Sequence, residues 1–530
     1  NDAIVNAGVV DLQVGGLTVT DSETIGRLTG ASGTTVTLTQ NLTFGDTTGT
    51  TIQSAISGAG DLNKQGSSTV ILSGASTYTG ATNVNNGALN FQGTKSGGGG
   101  VVVASGAQLQ LQNGISVNEA LSITGDGGGA GALLNVSGNN TWGGTVTLSG
   151  TGAATIGSTL NKLTLNAANA VTQNNNNNLT FTGAGDGLIS GVIGAGSGTL
   201  TKSGGGTLTL SGTNTYTGST TLTQGILRAE GAASLSGTGA IVLNGGELQL
   251  ASDTSASFGN NVTLGGNAQI TTDRLTAGAG TTQTLGTLSL GANTLTVATT
   301  ANVTSGTAGL TLGATTTGGA TVDTNAGVLT TLGAVTGTGN SLTVGGAGNT
   351  TLSGGLNTGA AGTLIKNGAG VLTLSSAGTY TGSTAVNAGV VDVQNNTALG
   401  TSAGATTVAS GAAVQIDGTG LAIAEPFSIA GTGVSSGGAL RNLANSNSLT
   451  GGITLTGASR INSDAGTLTI STNGISGAAQ NLTIGGAGNT TVSSNITTTT
   501  GTLTKDGAGN LILSGTNTYT GTTTVSAAGS

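Results

Sequence analysis

The chain has 530 residues, carries a net charge of −8, and spreads 11 lysines and arginines thinly along its length, with only 6% of residues charged. That dispersal excludes the basic footprint of a nucleic-acid-binding protein. Histidine and cysteine are absent, which removes disulfides, thiolate chemistry, cysteine-ligated zinc and the commonest general base; no run of about 18 apolar residues offers a membrane-spanning helix.

With 102 glycines, disorder is the first alternative to consider. It is opposed by the low net charge, by a single proline, and by the regular alternation of aliphatic residues with threonine. Residues 35–44 read TVTLTQNLTF and place Val36, Leu38, Leu42 and Phe44 on two-residue spacings, the period of a strand with one buried face. Residues 207–210 (TLTL) and 467–470 (TLTI) do the same in shorter form. Methionine is also absent, so residue 1 is not a translational start and the chain is expected to be processed or excerpted.

In chain order, the first features are Asp21 and Glu23, a close pair of carboxylates followed by Arg27. They are a weak candidate for glycan cleavage. The phrase at 62–89 then carries Lys64 and Tyr78, an offset that every later copy keeps. Its grammar is strand, glycine turn, strand, tyrosine turn, strand. Residues 125–131 (GDGGGAG) resemble one copy of a glycine-rich calcium loop, which works by tandem repetition. Trp142 is expected in a turn, and the five asparagines at 174–178 in an exposed turn or an asparagine ladder.

The phrase returns at 200–227 with Lys202 and Tyr216, at 364–391 with Lys366 and Tyr380, and at 503–530 with Lys505 and Tyr519. All four tyrosines and four of the six lysines are thus used in one phrase. Each tyrosine is expected to fill and pin its turn, with an apolar body and a polar tip. Each lysine is expected to be a solvated side chain or a turn contact. Between phrases, residues 101–111, 241–250 and 407–416 share one looser pattern. Pro426 is expected at an irregular corner or bulge.

The phrase L-x-K-x-G-x-G-x-L-x-L-x-G-x-N-x-Y-x-G-x-T-x-V resembles the autotransporter-associated β-strand repeat, directly over about a fifth of the chain. The resemblance implies a right-handed parallel β-helix, export from a Gram-negative-type cell and a place on or beyond its outer surface. It carries no catalytic residues, and no barrel with aromatic girdles is visible.

The expected fold is therefore all-β, a glycine- and threonine-rich β-solenoid running continuously over 1–530, with narrow coils filled by aliphatic residues rather than bulky aromatics. At about 20–25 residues per coil and about 4.8 Å per coil, the rod is expected to be roughly 100–125 Å long. Residues 5–13 match 386–394 at eight of nine positions, so the chain begins where a phrase ends, and it finishes inside another. Either a longer array has been cut, or end coils stack on a further copy.

Three functions follow in order: a structural filament or surface layer built by head-to-tail stacking, a surface adhesin that self-associates or binds glycans, and a glycan-degrading β-helix. The first two are non-enzymatic and need no cofactor. Their partners are a second copy or extracellular glycans, not nucleic acid. Without histidine, little response to pH is expected between about 6 and 8.

Overall fold

Alternation of an aliphatic residue with threonine gives the backbone one apolar face, and turns rich in glycine and asparagine keep most runs short. In the computed structural model, which describes residues 8–194, 196–235, 237 and 239–526, the stretch 35–44 forms two strands, Thr35–Leu38 and Leu42–Phe44, with a corner at 39–41. Val36, Leu38, Leu42 and Phe44 are all buried. Thr207–Leu210 and Thr467–Ile470 are strands with those bounds. The beginning of the 5–13 match and the last four residues of the fourth phrase lie outside the described residues.

The strands stack in parallel to make a β-solenoid. A coil has up to three strand faces; Val146–Leu148, Ala153–Ser158 and Lys162–Leu165 make one such coil. The described residues hold no α-helix, only short 3₁₀ turns such as Asn174–Asn176 and Val434–Ser436. Among them no helix is long and apolar enough to cross a membrane.

The chain divides into two compact units, Asn1–Ser252 with Phe258–Asn261, and Asp253–Ser257 with Val262–Ser530. In the first, Leu42–Phe44, Leu62–Lys64, Thr82–Val84, Val101–Val103, Leu121–Ile123 and Val146–Leu148 form one parallel ladder. Leu42 registers with Leu62, and Leu121 with Val146, so the coils differ in length while their strands stay aligned. In the second, Leu342–Gly345, Leu364–Lys366, Thr384–Val386, Thr406–Val408 and Phe427–Gly431 stack in the same way. Leu364 registers there with Thr384, and Ala268 with Leu295 across a longer coil. Parallel ladders keep like residues in register, so Leu, Val and Ile build a continuous narrow core. Each fully buried side chain contributes about 1.5–3 kcal/mol.

One compositional expectation is corrected. Aromatic residues are rare but they are core residues: all five phenylalanines, Trp142, Tyr78, Tyr216 and Tyr380 are buried. Trp142 closes the strand Asn140–Trp142 and is fully inward rather than in a turn. Pro426 occupies a corner immediately before Phe427–Gly431.

The shared pattern at 101–111, 241–250 and 407–416 has a structural reason. Val101, Ile241 and Thr406 are the register partners of Thr82, Thr220 and Thr384 in the tyrosine phrases. Each echo is the coil laid directly on a phrase, and similar surfaces impose similar residues.

Candidate functional site

The four phrase lysines face the core. In L-x-K the lysine is two residues from the leucine and therefore on the same strand face. Leu62 and Lys64, Leu200 and Lys202, and Leu364 and Lys366 are all buried. Lys64 stacks between Phe44 and Val84, and Lys202 between Phe181 and Leu222. The apolar stem thus takes a place in the core column while the ammonium reaches the corner.

At the corner each ammonium donates to backbone carbonyls. Lys64 Nζ donates to the carbonyls of Gln65 (2.6 Å), Gly66 (2.9 Å) and Asn86 (3.0 Å). Lys202 Nζ uses Ser203 (2.9 Å), Gly204 (2.7 Å) and Gln224 (3.3 Å), and Lys366 Nζ uses Asn367, Gly368 and Ala388. The first two carbonyls belong to the lysine's own turn and the third to the turn of the next coil. Lys505 repeats the first two bonds, to Asp506 and Gly507; the position that corresponds to Asn86, Gln224 and Ala388 lies outside the described residues. The glycine two residues on is required, because Gly66, Gly204 and Gly368 have φ of 69, 76 and 74°, a region costly for other residues. The solvated-lysine alternative is therefore corrected: these are buried corner clamps. Burial pushes Lys64, Lys202 and Lys366 down to about 8, which leaves them charged at neutral pH, and the carbonyl dipoles favour the charged form.

The tyrosines pin the opposite corner. The hydroxyls of Tyr78, Tyr216 and Tyr380 each share a 2.6 Å hydrogen bond with the threonine four residues on: Thr82, Thr220 and Thr384. Tyr519 pairs likewise with Thr523 at 2.8 Å but is half-buried. Burial pushes the Tyr216 hydroxyl up to about 12 and raises those of Tyr78 and Tyr380 as well. No hydrogen bond joins a phrase lysine to its tyrosine among the described residues. The cation over Tyr78 is Lys95, 4.1 Å from the ring centroid.

A further kind of corner escaped the sequence reading. Asn135 Nδ2 donates to Ser158 Oγ and the Leu160 carbonyl, both at 3.0 Å, and Asn135 Oδ1 accepts from Asn140 Nδ2. Asn442 repeats this toward Ser463 Oγ (3.2 Å) and the Ala465 carbonyl (2.9 Å), with Asn447 Nδ2 donating to its Oδ1 at 2.8 Å. The signal was present: ALLNVSGNN at 132–140 and ALRNLANSN at 439–447 are one phrase.

The remaining candidates separate. Asp21 is exposed before the strand Glu23–Ile25, and Arg27 pairs with Asp46 at 3.0 Å rather than with the two acids. The 125–131 loop is a tight turn in which the Asp126 carbonyl accepts from Gly129 and Gly131. The counterpart loop at 431–438 has Thr432 in that place, its carbonyl accepting from Gly438, and the Asp126 carboxylate accepts from the Gly128 N–H of its own turn at 3.1 Å. Asn177, in the asparagine run, is buried and donates to the Leu148 and Gly150 carbonyls. The described residues contain no cluster of three or more acidic, histidine or cysteine side chains suited to a metal. Burial pushes Glu425 up to about 7 and Asp392 up to about 6, which places two carboxylates at or near the range in which little response to pH is expected.

These corners coincide with a recognised repeat. The family model of the passenger-associated-transport-repeat matches residues 62–91, 195–229, 364–393 and 503–529, together under a quarter of the chain. The chain thus carries four copies of a repeat associated with autotransporter passengers, on a parallel β-solenoid. No curated protein and no solved structure matches the chain. A repeat of this kind on this fold fits a passenger-like, secreted or surface protein.

Proposed function

We propose that the chain is a non-enzymatic structural segment on or beyond the surface of a Gram-negative-type cell, forming a stiff fibre or layer of stacked coils. The observation that supports this is how the chain uses its scarce chemistry. The four phrase lysines and three of the four tyrosines are buried and committed to closing coil corners. A clamp such as Lys202, which takes a carbonyl from the next coil at Gln224, ties layers together as well as finishing its own turn. Parallel strand edges above and below each coil accept further layers, and a second copy adding in register, head to tail, extends the stack.

The second reading, a surface adhesin, rests on the outward rows. Thr18, Thr37 and Ser57 stand in register in the first unit, and Asn83 donates to Asn63 along another row at 2.8 Å. Such hydroxyl and amide rows suit self-association or hydrogen bonding to extracellular glycans. Electron microscopy of the purified chain at low and high concentration tests the first reading. Fibres that lengthen with concentration support it. Single particles at every concentration overturn head-to-tail assembly and bring glycan binding and cell clumping forward.

A further inference from the structure

The block that begins at the first tyrosine is written again after the third. Residues 119–125 read EALSITG and residues 425–431 read EPFSIAG. In both, a buried glutamate stands two residues before a strand of the second coil beyond the tyrosine: Glu119 before Leu121–Ile123 and Glu425 before Phe427–Gly431.

In the first block that carboxylate has a cation. Lys95, in the intervening coil, forms an ion pair with Glu119 Oε1 and donates to the Tyr78 carbonyl at 3.2 Å. Its Nζ lies 4.1 Å from the centre of the Tyr78 ring. Gly98 N–H completes the carboxylate oxygen at 2.9 Å. Carboxylate, carbonyl and aromatic face together make a site for an ammonium, here filled from within.

In the later block the same path lacks the lysine. Ser76 N–H donates to the Thr94 carbonyl just before Lys95; Gly378 N–H donates to the Thr397 carbonyl just before Ala398. Ala398 therefore stands in the position of Lys95. Among the described residues, Glu425 has one side-chain partner, the Thr406 hydroxyl on Oε1 at 2.9 Å. A half-open groove of about 460 Å³ is lined there by Glu425, Gly378, Leu399, Gly400 and Thr401, among others. Gly378 and Gly400 line the groove without side chains and pack on the fully buried Tyr380 ring behind it, where a Cβ at Gly400 would lie 3.1 Å from two ring carbons. The second phrase shows the alternative: Asn260, two residues before Val262–Leu264, donates its own amide to the carbonyls of Gly237 and Gly239, both at 3.0 Å.

We propose that the groove at Glu425 binds a small primary alkylammonium, its head group on the Glu425 carboxylate and its alkyl chain along Leu399. An external amine then meets the carboxylate that corresponds to the one Lys95 meets in the first block. A carboxylate buried without a cation is costly, and the supplied ammonium removes that cost. The site is independent of whether the chain assembles into fibres.

The test is methyl NMR of the full chain, labelled at leucine and alanine and titrated at pH 8 with n-butylammonium chloride and separately with n-butanol. Saturable shifts at Leu399 and Ala424, with n-butanol at least about ten-fold weaker and the response lost in Glu425→Gln, support the site. Equal responses to the two probes, no saturable shift at those methyls, or an undiminished response in Glu425→Gln overturn it. Should Glu425→Gln fail to fold, the comparison of the charged and neutral probes on the unaltered chain decides.

Discussion

The coil that carries Lys202 and the coil that carries Asn135 turn their corners with different groups. Lys202 registers with Leu222 in the next coil, and its long side chain rises from the core to place a charge on three carbonyls. Asn135 registers with Ser158 across a slightly longer coil, and its short neutral amide is shared between Ser158, Leu160 and Asn140. Both satisfy corner carbonyls that a glycine-rich turn leaves without partners, a requirement for any buried backbone group. The lysine corner also holds its coil to the next one and titrates. The asparagine corner does neither through a charge, so the two can be separated experimentally.

The largest separation is expected from Tyr216→Ala. It empties a fully buried ring position, at a cost of about 3–5 kcal/mol. Because coils contact only their neighbours, the loss should be local. Hydrogen exchange should speed at the Thr215 and Thr217 amides, which donate to Ile193 and Gly196, while amides around Asn135 keep their protection. Uniform loss across both regions would show that the coils do not open separately.

Next is Lys202→Met, which keeps the stem in the core column and removes the ammonium from three carbonyls. The expected cost is about 2–4 kcal/mol, since buried acceptors left unpaired lose most. The Thr223 amide, which donates to the Lys202 carbonyl at 3.0 Å, reports it. Asn135→Leu should cost about 2–3 kcal/mol by the same reasoning, read at the Thr159 amide, which donates to the Asn135 carbonyl at 2.7 Å.

Changing pH separates the corners without mutation. Lys202 stands at about 8 in the fold against an ordinary 10.5. Over that interval the folded chain releases its proton before the unfolded chain does, so stability grows as pH rises from about 8 to 10.5, and it is lost again as pH falls through 8. The Lys202 corner should gain about 1–2 kcal/mol by pH 9.5, seen as slower opening at Thr223 after correction for intrinsic exchange. The asparagine corner should not move, and Lys202→Met should abolish the gain. Glu425 has the opposite sign. Raised to about 7 from 4.5, it contributes stability that is full below about 4.5 and is lost as pH rises through 7.

How much of this was legible depends on repetition. The lysines and tyrosines stood out because four copies align without gaps, and the strands because aliphatic residues alternate. The lysines' burial was legible too, since Leu62 and Lys64 share a strand face, but a charge beside a glycine turn suggests solvent more readily than core. The asparagine corners were written only twice, once in each compact unit, too sparsely to stand out among so many asparagines. The meeting of Lys95 with Glu119 was not legible, because it depends on the length of the coil between them and no local motif encodes that length.

The smallest effect is the most discriminating. Tyr216→Phe keeps the ring and removes one hydroxyl, leaving the buried Thr220 Oγ1 without its 2.6 Å partner; the expected cost at neutral pH is about 1 kcal/mol. The hydroxyl stands at about 12 in the fold against an ordinary 10. Its contribution is therefore full below about pH 10 and is lost as pH rises through 12, because the unfolded chain ionises first. Phenylalanine has no such proton. Exchange at the Thr215 and Thr217 amides should show the Tyr216→Phe penalty shrinking above pH 10 and the variant overtaking the parent at about pH 11. A penalty that stays constant across that interval would mean the ring is wetter than its corner implies, and the tyrosine pin would then be a contact of shape rather than of its buried hydroxyl.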